Sequence, residues 1–572
     1  MGRLAIYLGS AVLAVLAIGL LVFRPWNQPE FALSGPEASS RMAVATPADM
    51  AHYERGGPNR VAVLVTDPGA DWLGLARGFT AHGIPFIITE DPARALRHDV
   101  VLAYPIISGR VLNQDALRDL AAHVHGGGTL LTFNLAGGGL QSLFGIVDQQ
   151  GGRERAIMEW TQGALAGERG RFNSPRAEAR VGSFVIRPST ATSHAIYGDG
   201  SAAATCRTAA GTACILGVDL GSLTQRAMNG RSEQVSDRPV NSYDPTLDLF
   251  YRWIAELYVA GEPDAFLIDT ARAGTTGSLV LTHDVDFSRS VLNIPAYAEA
   301  IRQRGREATF FVQTKYVRDW NDDAFLNQGS LSSLRQAAAA MEIGSHSVSH
   351  SLEFARFPLG DGEETYPDYE PFVASAEETR DGTILGELRV SRYLLEELAG
   401  QPVRSFRPGY LANPAQLPEA LQATGYRYSS NMTANLAMTH LPFRLARGRA
   451  NSALVPVWEF PVTIEDERDG KLGDRFDDAV SVIDRIADHR GVAVILIHPD
   501  ITGHKLDFET RLIDHYADRL WIGSLGALGA WWEARSRAQF DFDGTELTID
   551  APQRIDDLVI RFPNSGRTVT LQ

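Results

Sequence analysis

From residue 60 onward, short apolar runs alternate with amphipathic stretches, in two successive blocks. In the first block "RVAVLVT", "IPFIIT", "HDVVLAY" and "TLLTFN" read as buried strands. Between them "WLGLARGFTAHG" and "LNQDALRDLAAHVHGGG" read as helices stopped by glycine. Strands this short and apolar suit a parallel sheet covered on both faces, so residues 58–262 predict a doubly wound α/β domain. The second block, 275–535, carries "SLVLTH", "ATFFVQ", "MEIGSHS", "VRSFRPG", "YRYSSN", "GVAVILIHP" and "RLWIGSL", with helical stretches such as "PAYAEAIRQRG" between most of them. About seven strands separated by helices predict a distorted (β/α) barrel. Beyond 539 the period drops to two in "FDFDGTELTID", "DDLVIRF" and "RTVTLQ", which predicts a small antiparallel β unit over 539–572. The expected fold class is α/β.

The chain's start breaks this pattern. Residues 4–23, "LAIYLGSAVLAVLAIGLLVF", are apolar and uncharged, long enough to cross a bilayer as a helix. Arg3 precedes the run, and Arg24, Pro25 and Trp26 follow it. No small-x-small cleavage site follows Phe23, which favours an uncleaved transmembrane signal-anchor over 1–24 rather than a removed signal. Residues 25–57, rich in Pro, Ala and Ser, read as a linker lifting the body off the membrane. The expected location is membrane-anchored, with the body extracytoplasmic, in the periplasm or at the cell surface. Cys206 and Cys214 flank a turn-like "AAG" and suit a hairpin disulfide in such a compartment, two buried thiols being the alternative. The formal net charge of −16 excludes a nucleic-acid binder, which needs clustered Lys and Arg.

Chemistry gathers in the second block. Chemical groups in (β/α) barrels collect at the C-terminal strand ends, and "THDVD", "SHSVSH", "RPGY" and "LIHPD" all stand there. His346 and His350 lie four apart, and on a helical turn their rings would share one face. Two imidazoles with a carboxylate from elsewhere make a three-ligand site with an open position, the arrangement of catalytic zinc. Asp284 and Asp286 are two apart, so both point to one side of an extended strand.

These motifs, in this order and with "ATFFV" after the first helix, resemble the polysaccharide deacetylase family (NodB homology, carbohydrate esterase family 4) over about 275–535. The resemblance implies metal-dependent hydrolysis of N-acetyl groups on a polysaccharide, an exopolysaccharide or a cell-wall glycan. It implies a divalent ion, Zn2+ ahead of Co2+ or Ni2+, held by Asp286, His346 and His350. It makes Asp284 the general base, Arg407 the residue that orients it, Tyr410 the donor of a backbone N–H to the oxyanion, and His498 the general acid. Expected partners are the N-acetylated polysaccharide, the membrane through the N-terminal helix, and polysaccharide-secretion proteins. Residues 58–262 resemble in pattern the class I glutamine-amidotransferase-like fold, without a cysteine nucleophile, and are expected to be non-catalytic. Loop glycine explains Gly137 to Gly139 better than a phosphate cradle, for no Walker or dinucleotide spacing accompanies them.

Two departures from the family stand out. The usual aromatic of the first motif is His283, read as a wall residue or a member of the metal's shell. The fourth motif's Asp-Trp is missing, and "PVWEFPVTIED" offers Glu459, ahead of Asp466, as support for His498. His440, His504 and Lys505 are placed on loops at the barrel top, with solvent contact the stronger reading. Two rival functions follow: a catalytically impaired glycan-binding module, and a metal-dependent hydrolase of another C–N bond.

Overall fold

The computed structural model describes residues 30–36, 38–44, 46–152, 154–173, 180–230, 240–320, 324–448 and 451–571. The expected membrane anchor, 1–24, lies outside the described residues; among these no helix is long and apolar enough to cross a membrane.

The first block folds as its pattern dictates. Phe86–Thr89, Val61–Val65, Val100–Tyr104, Thr129–Thr132 and Thr212–Leu216 lie side by side in that order, all parallel. Helix Trp72–His82 ends where expected: Gly83 adopts φ 67°, a left-handed cap that an L side chain resists. The sheet then continues antiparallel through Ala202–Thr208, Thr192–Tyr197, Ile157–Trp160 and Arg169–Arg171. That extension has no strong apolar signature, since strands there show one face to solvent. Cys206 and Cys214 are directly opposed across a hairpin and form a disulfide.

The second block is a curled sheet with its strands parallel, except Phe443–Ala446, which pairs antiparallel with Leu454–Glu459 at one edge. Leu454–Glu459, Tyr428–Ser429, Ser405–Phe406, Glu342–Ser345, Thr309–Val312, Ser278–Val285, Val492–Ile497 and Ile464–Glu465 follow one another around it, and Trp521–Gly523 pairs with the start of Ser278–Val285. The closure is irregular. Between Leu454–Glu459 and Ile464–Glu465 runs Phe460–Thr463, whose N–H groups reach Ser429, Met432 and Val494 carbonyls on either side. This makes the barrel distorted, and it turns the segment after residue 463 toward the C-terminal face.

Two flanking regions differ from expectation. The described part of 25–57 is irregular apart from a 3-10 helix at Met50–Tyr53, yet it is strapped along the barrel rather than standing free. Phe31 is buried, its N–H donates to the Tyr366 hydroxyl (3.1 Å), and Arg389 donates to the Ala38 carbonyl (2.8 Å). Composition signalled the lack of regular structure; it could not show that side chains elsewhere satisfy this backbone. The tail forms two hairpins in separate sheets, not one unit. Gln539–Phe542 pairs with Leu547–Asp550, while Val559–Phe562 pairs with Arg567–Thr570 and with Leu267–Ile268 at the domain junction.

With both cysteines paired, titration of the denatured, unreduced protein should find no free thiol, and two after reduction. Two free thiols before reduction would remove the disulfide.

Candidate metal centre and proton-transfer groups

Every predicted site residue stands at a C-terminal strand end. Asp284 and Asp286 close Ser278–Val285 or follow it; His346 and His350 follow Glu342–Ser345; Arg407 and Tyr410 follow Ser405–Phe406; His498 follows Val492–Ile497. All except Tyr410 are buried. All but Arg407 border a cleft of about 960 Å³ out to its mouth, walled also by Val240, Phe287, Thr433, Glu465 and Glu467.

One ligand atom each from Asp286, His346 and His350 can lie within 4.8 Å of one another. His346 Nδ1 faces the Arg407 carbonyl oxygen at 2.7 Å. A carbonyl only accepts, so Nδ1 carries a proton, and in the neutral ring Nε2 presents a lone pair. That lone pair points at Asp286 Oδ1, 3.4 Å away, and at Asp284 Oδ2, 3.8 Å away. Asp286 Oδ1 is buried and receives no hydrogen bond. His350 Nε2 is 3.6 Å from the other Asp286 oxygen. Two imidazoles and a carboxylate turned toward one another in a buried site are a donor set that fits a divalent metal. The same field acts on protons. Burial lowers the pKa of His346, but the carboxylates of Asp284 and Asp286 outweigh it and the net shift is upward. Burial also works to raise Asp286, yet His498 and then His350 hold it well below the usual carboxylate range.

The two histidines do not share a helix. Ser347 and His350 take left-handed φ values of 69° and 52°, and the chain turns sharply between them. The anchor is Glu387 on helix Ile384–Ala399, whose Oε2 accepts the N–H groups of Val348 (2.7 Å) and Ser349 (2.8 Å). Its Oε1 accepts from the Tyr369 hydroxyl (3.0 Å), and burial raises its pKa. Sequence reasoning missed Glu387. The signal was an acid on an apolar helix face, with Ile384 and Val390 three residues to either side. Gly409 makes room for His350, since a Cβ there would come within 2.7 Å of its ring. Tyr410, at φ 57°, lays its ring 4.7 Å from that of His350.

Arg407 is fully buried. It donates from Nη1 to Asp284 Oδ1 and to Thr282 Oγ1 (both 2.8 Å), and from Nε and Nη2 to the carbonyl and hydroxyl of Ser430 (2.9 and 2.7 Å). Its guanidinium lies 4.5 Å over the Phe311 ring.

His498 is supported by Asp466 and not by Glu459. Asp466 Oδ1 is 2.7 Å from His498 Nδ1, and Oδ2 accepts the His498 N–H (2.9 Å) and Lys505 Nζ (2.6 Å). Glu459 ends a strand and instead takes the N–H groups of Asn431 and Met432 (2.8 and 2.9 Å). The irregular run after Phe460 carries Asp466 over the strand tops, and residue spacing alone could not reveal that. Burial opposes a charge on His498, but Asp286 and Asp466 raise its pKa well above the ordinary imidazole value. Asp466 itself falls to about 2: burial pushes it up, and His498 and Lys505 outweigh that.

The remaining candidates are structural. His283 is fully buried outside the barrel wall, 3.1 Å from Glu509 and stacked 4.3 Å on Phe310, away from the metal residues. Lys505 turns inward to Asp466 and Asp500, and His504 opens helix His504–Tyr516. His440 is not at the barrel top. Its carbonyl takes the Val492 N–H, at the opposite end of that strand, and burial lowers its pKa to about 4.

Residues 272–429 match the family model for polysaccharide deacetylase. The match covers under a third of the chain and includes Asp284, Asp286, His346, His350, Arg407 and Tyr410; Asp466 and His498 lie beyond it. Among solved structures, a Mycobacterium smegmatis protein provisionally described as a polysaccharide deacetylase is 17% identical, covers 47% of this chain and 95% of its own, with a TM-score of 0.35. The CE4 domain of a multidomain xylanase from the hindgut metagenome of Trinervitermes trinervoides is 14% identical (44% and 89% covered, TM-score 0.28). A CE4 family pseudoenzyme from Bacillus anthracis is 16% identical (44% and 65% covered, TM-score 0.27). No curated protein sequence matches the chain. Nothing in these comparisons extends the amidotransferase likeness of 58–262.

Replacing Glu387 by Ala strips two buried N–H groups of their acceptor. The expected loss is about 2–4 kcal/mol in urea unfolding, with zinc affinity in a chelator competition reduced about tenfold or more. Unchanged zinc affinity would detach Glu387 from the histidine turn.

Proposed function

We propose that this chain hydrolyses N-acetyl groups on an extracytoplasmic polysaccharide, using a divalent ion held by Asp286, His346 and His350. The observation that carries the reading is the separation of duties at one cleft. Three donor atoms converge, while a second carboxylate pairs with Arg407 and a third imidazole pairs with Asp466 as well as with Asp286.

Bound there, a divalent cation, zinc or its neighbours cobalt and nickel, supplies Lewis-acid chemistry: a polarised acetamide carbonyl and a more acidic water. The chain's own residues do the rest. Asp284, fixed by Arg407, takes the proton as water adds to the acetamide carbon. The Tyr410 N–H, on the left-handed turn beside the cleft, donates to the developing oxyanion. His498, whose protonated form Asp286 and Asp466 favour, gives its proton to the leaving nitrogen as the C–N bond breaks. Acetate and a free amine leave. The conserved balance is one water consumed per amide cleaved.

The apolar run at 4–23 and the disulfide support a membrane-tethered body outside the cytoplasm, working on a polymer alongside its secretion machinery. An exopolysaccharide suits that arrangement better than a cell-wall glycan.

Acetate release from N-acetylglucosamine oligosaccharides should require added zinc, cobalt or nickel and stop with chelator. Activity indifferent to both would sink the reading. Asp286→Ala and His346→Ala should lose the metal, whereas Asp284→Asn should keep it and lose turnover by about a hundredfold or more. The alkaline limb of kcat should follow His498, because activity falls as its proton is lost. Asp466→Asn removes a carboxylate that raises that pKa, so the limb should move to lower pH. A limb that stays in place would deny Asp466 its role.

A further inference from the structure

We infer that Asn241, a residue of the N-terminal domain, is a positioning residue for the Asp466–His498 pair, so that the two domains make one catalytic unit. The inference rests on the reading of His498 as general acid.

The chain from Val240 to Pro245 leads into helix Thr246–Gly261 of the first domain, yet it lies against the barrel's top. Val240 walls the cleft. Asn241 adopts φ 57°, a conformation Asn tolerates better than most residues. It is held there by four hydrogen bonds to the segment carrying Asp466. Its N–H donates to the Thr463 carbonyl (2.9 Å), and its Oδ1 accepts the Glu465 N–H (2.9 Å). Its Nδ2 donates to Glu465 Oε1 (3.2 Å) and to Asp469 Oδ2 (2.9 Å).

Glu465 passes the constraint on. Its carboxylate folds back to accept the N–H groups of Glu467 (2.8 Å) and Arg468 (2.9 Å), closing a turn around Asp466. Asp466 then fixes the His498 ring and main chain. The chemistry at position 241 is specific. The segment presents one N–H and two carboxylates, and a primary amide supplies an acceptor and two donors from a single short side chain. An aspartate there would set a third negative charge against Glu465 and Asp469.

The neighbouring residues are anchored separately. Asn435 Nδ2 donates to the Ser242 hydroxyl (2.8 Å), and its Oδ1 accepts the Asp244 N–H (3.1 Å). Removing the Asn241 amide therefore leaves the segment docked. The loss should fall on the geometry of Asp466 and not on the assembly of the domains.

The test uses the full chain with Asn241→Gly, which keeps the left-handed backbone and deletes the amide. With zinc and an N-acetylglucosamine oligosaccharide, kcat should fall about tenfold and KM stay within about twofold. The thermal midpoint should barely move. In an Asp466→Asn background the same change should cost nothing further, because the residue it positions is already disabled. Hydrogen exchange should quicken at the Glu467 and Arg468 amides and stay unchanged in the first domain's sheet. Asn241→Asp should shift both readouts the same way. An unaltered kcat in Asn241→Gly, or an equal loss in the Asp466→Asn background, would overturn the inference. If the parent protein releases no acetate, the functional reading fails on its own, and the exchange experiment still decides whether Asn241 shapes the turn.

Discussion

The Arg407–Asp284 ion pair is the contact on which the site's geometry depends. A guanidinium with no solvent exposure must find acceptors, and this one finds them on two strands besides its own, at Thr282 and Asp284 and at Ser430. The same residue's carbonyl fixes the tautomer of His346. One arginine therefore sets the proposed base with its side chain and a proposed metal ligand with its backbone. Losing either partner of a buried pair leaves an uncompensated charge, at a cost of about 3–5 kcal/mol. Moving Arg407 consequently disturbs the proposed base and the proposed metal ligand together.

Much of this was readable along the chain, and the reasons are local. Fully apolar runs of strand length announced the parallel strands of both domains, because a strand covered on both faces has no polar side to show. The motifs at strand ends followed, since a barrel's topology brings those ends to one face whatever lies between them. Contacts set by tertiary path were hidden. His346 and His350 have helical spacing, but Glu387 imposes a turn from 37 residues after His350. Glu459 seemed the nearer support for His498, but its strand ends too soon, and the irregular closing segment brings Asp466 in its place. The antiparallel half of the first sheet was missed because strands with one wet face leave only a weak alternation.

The first domain, expected to be non-catalytic, is bonded to the barrel through buried side chains that hold partners in both. Asp248 of helix Thr246–Gly261 binds His82 within its own domain (3.0 Å) and the His440 N–H across the boundary (3.0 Å). Arg77 likewise donates both to the Met228 carbonyl and to that of Arg444 (3.0 and 2.9 Å). Buried charges shared in this way oppose hinge motion, because opening the seam would strand them without partners.

The pairing of Leu267–Ile268 with Val559–Phe562 carries a consequence for the order of events in biogenesis. These strands adjoin in space but are separated by the whole barrel in sequence. Chain growth proceeds from one end, so the junction has no mate until about the 560th residue has emerged, and the loop to be closed is long. Until then the backbone groups of Leu267–Ile268 on that edge lack their strand partner, so this junction is among the last contacts the chain can complete.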